Sequence, residues 1–362
     1  MNLLLLSPGP CDNKITWSGT SMNLLNAFRN IETIEVSHVN MYSFIPFIYK
    51  ILIRVYRQFF FVGGNNTRNR LCYPMLAQKV AKYIAVNNQK GWNLFIADHA
   101  SSCLTPDSKC AAYIDADYMV WAPKEEGRLK DGFLKYYDAK TKESLENMAY
   151  IFTMNEWTRE FTIKHHGIEP NKVFNVGFGI NVKPYFGDKD YSQKRMLIVL
   201  RKGREKMKGL YLLLEAMELV KSEISELSLD VVGTDVCKDN DSVRTWYNYP
   251  RSKTAELFEK SSLYVMPSEG EPNGITYLEA LANKTPIVGL NGFAFPEFAG
   301  QGKYGFIAKE ATPRAVADKI IEAFENIDRL RVMGEEGQKY VLSRFSWESV
   351  TRNMYNIMKD NK

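Results

Sequence analysis

The sequence predicts an α/β protein built from two doubly wound, Rossmann-like domains. Three observations carry this expectation. At 362 residues the chain exceeds the size at which single cores usually stop growing. Its first half alternates short apolar runs with helical patterns, as parallel sheets flanked by helices do. From Arg195 the same alternation begins again.

Taken in order, residues 3–6 form a buried-strand run, followed by a loop carrying Gly19-Thr20 and a helical run over 22–28. Residues 93–97 are a second strand run ending at Asp98-His99. Residues 148–153 read as a strand leading into a helix through 155–161, and 165–173 as a turn into another strand. The stretch 182–194 is polar, contains Gly and Pro and lacks periodicity. It is expected to be an interdomain linker, giving domains at 1–185 and 190–345. In the second half, 195–200 is a strand running into Arg201, and Lys208-Gly209 precedes a helical run over 210–217. Residues 229–232 form a strand closed by the turn Gly233-Thr234. Residues 263–266 are a strand closed by Pro267-Ser268-Glu269-Gly270. After Gly274, Ile275, Leu278, Leu281 and Ala282 recur at helical spacing. Ser346 with acidic Glu348 reads as the start of a last helix.

Composition is ordinary for a globular protein, and the net charge of +5 is spread without a Lys/Arg block, which argues against a nucleic-acid partner. Cys11, Cys72, Cys103, Cys110 and Cys237 are odd in number and form no Cys-x-x-Cys pair, so free thiols in a reducing compartment are expected. The start has no basic leader and too short an apolar run for a signal peptide, which points to a cytoplasmic location. Asn65-Asn66-Thr67 matches a glycosylation acceptor and is set aside on the same ground. Segment 43–62 is strongly apolar, with Lys50, Arg54 and Arg57 at i, i+4 and i+7. Three central charges argue against a spanning helix. The expected reading is a helix packed by its apolar face on the sheet; peripheral contact with a membrane stays open.

The chemistry concentrates at Glu271-Pro272-Asn273-Gly274-Ile275-Thr276-Tyr277-Leu278-Glu279. An isolated pair of glutamates is ordinarily two solvated charges. Here Glu271 lies on a strand-to-helix loop, Gly274 allows close backbone approach, and Glu279 stands about a turn inside the helix. A helix N-terminus suits phosphate, and carboxylates on either side suit hydroxyl groups. Diphosphate, ribose and sugar together describe a nucleotide-sugar.

This stretch resembles the retaining glycosyltransferases of the GT-B fold, specifically glycosyltransferase family 4. Their signature is Glu-x7-Glu with a helix reading LEALA, which Leu278-Glu279-Ala280-Leu281-Ala282 reproduces letter for letter. Gly167-Ile168-Glu169-Pro170-Asn171-Lys172, Gly177-Phe178-Gly179-Ile180-Asn181 and Phe345-Ser346-Trp347-Glu348 are similar to further family motifs, with Phe178 where Asn is usual. The resemblance implies two domains facing a cleft, with helix 347–362 crossing back to the first, and a nucleotide-sugar donor held by the second. Glu279 would bind ribose, and the backbone over Pro272, Asn273, Gly274, Ile275 and Thr276 would meet the diphosphate. Glu271 would hold sugar hydroxyls, with His99 facing the donor sugar. Lys208 and Arg201, the latter in competition with Arg204, would neutralise the leaving diphosphate. Gly19, Thr20 and Thr234 complete the expected donor contacts.

The implied reaction is retaining transfer of a hexose to a hydroxyl of a glycan or other acceptor, with mannose from GDP-mannose as first donor and UDP-glucose next. No metal and no cofactor are expected. Asp115-Ala116-Asp117, Asp188-Lys189-Asp190 and Asp239-Asn240-Asp241 match the Asp-x-Asp metal pattern, and three hits mark it as chance. A GT-B phosphorylase, a nucleotide-sugar hydrolase or epimerase, and a non-catalytic donor-binding subunit remain alternatives.

Overall fold

Among the described residues, two parallel sheets of six strands each organise the chain. A computed structural model describes residues 1–14, 16–60, 70, 72–97, 109–120, 131–237, 240–250 and 253–360. It divides into two units: Met1–Gly179 with Trp347–Lys362, and Ile180–Ser346. Each is a doubly wound α/β sheet, as expected.

In the first unit the elements are β1 (Asn2–Ser7), α1 (Thr20–Arg29), β2 (Glu35–Asn40), α2 (Phe47–Phe60), α3 (Tyr73–Asn87), β3 (Trp92–Ile96) and β4 (Cys110–Ile114). They continue with α4 (Asp131–Glu146), β5 (Tyr150–Thr153), α5 (Glu156–His166) and β6 (Val173–Asn175). Leu3, Leu4, Leu5 and Leu6 are all buried, because helices cover both faces of a parallel strand. The strand order is β2-β1-β3-β4-β5-β6, so the direction of winding reverses between β1 and β3. Asn155 caps α5 by accepting from Thr158 N at 2.7 Å, and Gly167 ends it in the left-handed region.

The second unit holds β7 (Arg195–Val199), α6 (Leu210–Lys221), β8 (Ser228–Val232), β9 (Val243–Trp246), α7 (Thr254–Lys260) and β10 (Leu263–Val265). It continues with α8 (Ile275–Ala282), β11 (Ile287–Leu290), α9 (Phe295–Phe298), β12 (Gly305–Ala308), α10 (Pro313–Glu325) and α11 (Ile327–Arg344). Its strand order, β9-β8-β7-β10-β11-β12, places the reversal between β7 and β10, where Tyr264 pairs with Leu197. Ligands of open α/β sheets bind at the carboxyl ends of the strands at such a reversal.

The last helix, α12 (Trp347–Asp360), belongs to the first unit. It buries Val350, Met354 and Met358 and packs against α1, and Thr33 donates to the Tyr355 hydroxyl at 2.9 Å.

Two expectations change. Residues 182–194 are not a loose linker: they are clamped onto the second unit, whose boundary falls at 179/180, a few residues ahead of 185. Lys189 is buried, and its ammonium donates to Phe258 O at 2.7 Å, Asn283 O at 2.8 Å and the Thr285 hydroxyl. Burial pushes its pKa well down. Tyr191 donates to Lys284 O at 2.6 Å and Lys284 Nζ to Gly187 O at 2.8 Å. Polarity in this stretch reflects side chains that satisfy buried carbonyls, which composition alone does not distinguish from solvation.

The second change concerns α2. Tyr49 and Ile53 face the core, but Phe47 is 78% exposed, and Ile48, Ile51, Leu52 and Val55 are exposed too. The helix is apolar on two sides and the sheet covers only one. Among the described residues no helix is long and apolar enough to cross a membrane. Cys11, Cys72 and Cys110 are buried and, with Cys237, free thiols; burial pushes Cys110 up to about 12. Cys103 and the Asn65-Asn66-Thr67 match lie outside the described residues.

Replacing Lys189 removes a buried donor shared by three acceptors, of which Phe258 O and Asn283 O keep only the Thr285 hydroxyl and, for Phe258 O, Ser261 N. Lys189→Met is expected to lower the urea midpoint by the equivalent of about 1–3 kcal/mol, with an unchanged denaturant slope. A midpoint equal to wild type would show that the clamp contributes nothing to stability.

Candidate active site

The loop after β7 and the loop after β10 meet at the reversal of the second sheet. Ser268 donates from its hydroxyl to Met207 O at 2.7 Å, and Glu269 N to Met207 O at 3.3 Å. Gly209 makes this approach possible. It caps α6 with φ 76°, and a Cβ there would lie 2.1 Å from Pro267 O. Lys208, one residue earlier, is thereby aimed across the join.

There it pairs with Glu271. Lys208 Nζ and Glu271 Oε2 are in direct contact, with side chains only 16% and 19% exposed. The other carboxylate oxygen, Oε1, accepts from Gly274 N at 3.0 Å. Gly274 adopts φ 55°, and a Cβ at this position would press within 2.5 Å of the Tyr277 ring. The turn that presents Glu271 therefore requires glycine. Burial pushes the Glu271 pKa up; the charge and hydrogen bond of Lys208, the Gly274 N–H and the charge of Arg204 outweigh it, and the net shift is downward. Glu271 is a carboxylate at neutral pH. Each of its oxygens has a second lone-pair direction, so it can still accept from hydroxyl groups.

Behind the turn, α8 is held rigidly. Tyr264 donates to the Thr276 hydroxyl at 2.7 Å, and the Tyr277 hydroxyl donates to Met266 O. The first intrahelical bond runs from Tyr277 N to Gly274 O at 2.9 Å, so the N–H groups of Ile275 and Thr276 precede it. Glu279, one turn on, is buried at 3% exposure. Pro272 and Asn273 form the turn itself.

Glu271, Gly274, Lys208 and the charge of Arg204 thus come together. Arg204 N bonds Arg201 O at 3.0 Å and Lys208 N bonds Arg204 O at 2.9 Å, so the three cationic residues sit on one tight turn. Thr234 is fully buried and donates to Glu205 Oε1 at 2.6 Å. Glu205 also accepts from Gly203 N at 3.0 Å and braces the cationic loop against the end of β8. Burial pushes its pKa up, and the hydrogen bonds from Thr234 and backbone N–H groups pull it down further still. Glu205 and Ser268 carry no sequence signal, because their partners are backbone groups and a distant threonine.

Gly19, with φ 89°, and Thr20 cap and begin α1 after β1 in the first unit. His99 lies outside the described residues, as does Asp239. Of the Asp-x-Asp matches, Asp115 accepts from Trp17 Nε1 at 3.2 Å and Asp117 bonds His166 at 3.0 Å, both within the first unit.

Residues 187–340 match the family model described as glycosyl transferases group 1. The two-sheet fold is that of GT-B glycosyltransferases, and the greater part of the second unit is similar to this group of enzymes. It is 22% identical to spore coat protein SA of Bacillus subtilis over 261 residues, 63% of this chain and 69% of that protein. It is 24% identical to N-acetyl-alpha-D-glucosaminyl L-malate synthase of Bacillus anthracis over 219 residues, 55% of this chain and 58% of that one. Among solved structures, HepE from Anabaena in complex with UDP has a TM-score of 0.68 at 13% identity, covering 99% of this chain and 100% of HepE.

The Lys208–Glu271 pair has a pH signature. Its contribution to stability is present above the unfolded carboxylate value of about 4.3 and is lost as pH falls through the lower folded value. The gap in urea midpoint between wild type and Lys208→Ala should therefore be widest near neutrality and narrow under acid. A gap constant with pH would mean that the pair is not ionic.

Proposed function

We propose that this protein is a glycosyltransferase that moves a hexose from a nucleoside diphosphate sugar to a hydroxyl of a glycan or other acceptor, with retention at the anomeric carbon. The observation that carries the reading is the Lys208–Glu271 pair beside the N-terminus of α8 at the β7/β10 reversal. As the glycosidic bond breaks, negative charge grows on the leaving diphosphate. Lys208, Arg204 or Arg201, and the Ile275 and Thr276 N–H groups are donors suited to that charge. Glu271 accepts from sugar hydroxyls and Glu279 from ribose. Same-face attack assisted by the leaving phosphate follows from the family resemblance, as does mannose from GDP-mannose as donor. A UDP-sugar is the second reading, favoured by the UDP bound to HepE. No metal is assigned a role in transfer.

We further propose that α2 rests on an anionic membrane surface. Phe47, Ile48, Ile51, Leu52 and Val55 are exposed alongside exposed Lys50 and Arg54, the combination of an interfacial helix. An acceptor carried at a membrane would suit this placement.

Transfer assays with GDP- and UDP-sugars, read by NMR of the product linkage, test the reaction. The anomeric configuration of the donor should be kept, and Lys208→Ala should lower kcat by ~10²-fold or more. An inverted product, or a change confined to KM, would sink the mechanism. For the membrane, the protein should float with vesicles containing phosphatidylserine, and the double variant Ile51→Ser, Leu52→Ser should remain in solution. Equal flotation of both would reject the α2 contact.

A further inference from the structure

The C-terminal turn of α5 carries a cluster unrelated to the sugar site. His165 Nε2 lies 2.8 Å from Asp138 Oδ1 of α4, and His166 Nδ1 lies 3.8 Å from the same oxygen. One ligand atom from each of the three residues falls within 4.8 Å of the others. His166 is buried at 2% exposure, and its other nitrogen, Nε2, is 3.0 Å from Asp117 Oδ2.

That last contact sets the tautomer. A carboxylate only accepts, so the hydrogen sits on His166 Nε2, and neutral His166 then turns the lone pair of Nδ1 toward Asp138. Two acceptors facing each other can share a cation between them. Of the lysines nearby, Lys164 pairs with Glu160 at 2.7 Å and Lys142 with Glu146 at 3.8 Å. The free carbonyl end of α5 also favours positive charge.

We propose that Asp138, His165 and His166 bind a divalent transition-metal ion of the zinc class. Two imidazoles and a carboxylate are the donor set such ions take, at ~2.0–2.2 Å from each ligand. Small rotations of the half-exposed Asp138 and His165 side chains bring all three atoms to that distance. His165 then carries its hydrogen on Nδ1, leaving Nε2 for the ion. Asp117 orients His166 from behind, as carboxylates do for metal-bound histidines. The ion would cross-link α4, α5 and the loop after β4. It uses only residues of the first unit and none of the sugar site, so the inference does not depend on the transferase reading.

The test is titration of tag-free, chelator-stripped full-length protein with Zn²⁺ by calorimetry and with Co²⁺ by visible absorption. One ion should bind per chain, with cobalt d–d bands and no sulfur charge-transfer band. Asp138→Asn and His165→Ala, both at part-exposed positions, should abolish the bands while circular dichroism stays native. Asp117→Asn should weaken binding about 10–100-fold. Zn²⁺ should raise the melting temperature of wild type and leave that of Asp138→Asn unchanged. Absence of saturable binding, equal binding by Asp138→Asn, or a sulfur charge-transfer band would overturn the proposal, and a protonated His166 would then bridge Asp117 and Asp138.

Discussion

The ionic contact of Lys208 with Glu271 is the constraint around which the second unit is arranged. It joins the loop after β7 to the loop after β10, the two segments that a doubly wound sheet parts at its reversal. Everything nearby serves to hold it. Gly209 allows the loops to touch, Gly274 turns the chain so that its own N–H takes the second carboxylate oxygen, and Tyr264 and Tyr277 fix α8 behind. A half-buried pair of this kind gives little net stability, because desolvation offsets attraction. On the proposed reading its value is preorganisation: charge is already in position where a diphosphate would depart.

Much of this was legible in the sequence, for identifiable reasons. Strands such as 3–6 and 195–200 are buried on both faces and read as continuous apolar runs. The Glu271–Glu279 stretch was legible because turn, glycine and helix start are local features. Glu205 was not, since its role depends on Thr234 and on loop carbonyl geometry that no spacing encodes. Nor was Lys189: a buried ammonium satisfied by carbonyls looks, in a sequence, like any surface lysine. The apolar character of α2 was evident, yet hydrophobicity cannot say which of two apolar sides meets the sheet. The Asp138–His165–His166 cluster required the packing of α4 on α5, which separates its members by more than a turn's worth of sequence.

The two sheets also differ in order. The first places one strand beyond its reversal point, β2, whereas the second places two, β8 and β9. The second therefore has a wider flank on the side of the cationic loop, and Thr234 at the end of β8 uses it to brace Glu205. The position of the reversal, more than strand count, decides which loops can cooperate.

The assignment of α12 to the first unit bears on how the chain is made. The second unit is contiguous, so a ribosome can release all of its parts before synthesis ends. The first unit receives Val350, Met354 and Met358, which pack beside α1, only after the whole second unit has emerged. Closing so large a loop delays those contacts. During translation the surface of α1 that α12 will cover stays open, and exposed apolar surface of that kind is where a nascent chain is most prone to associate.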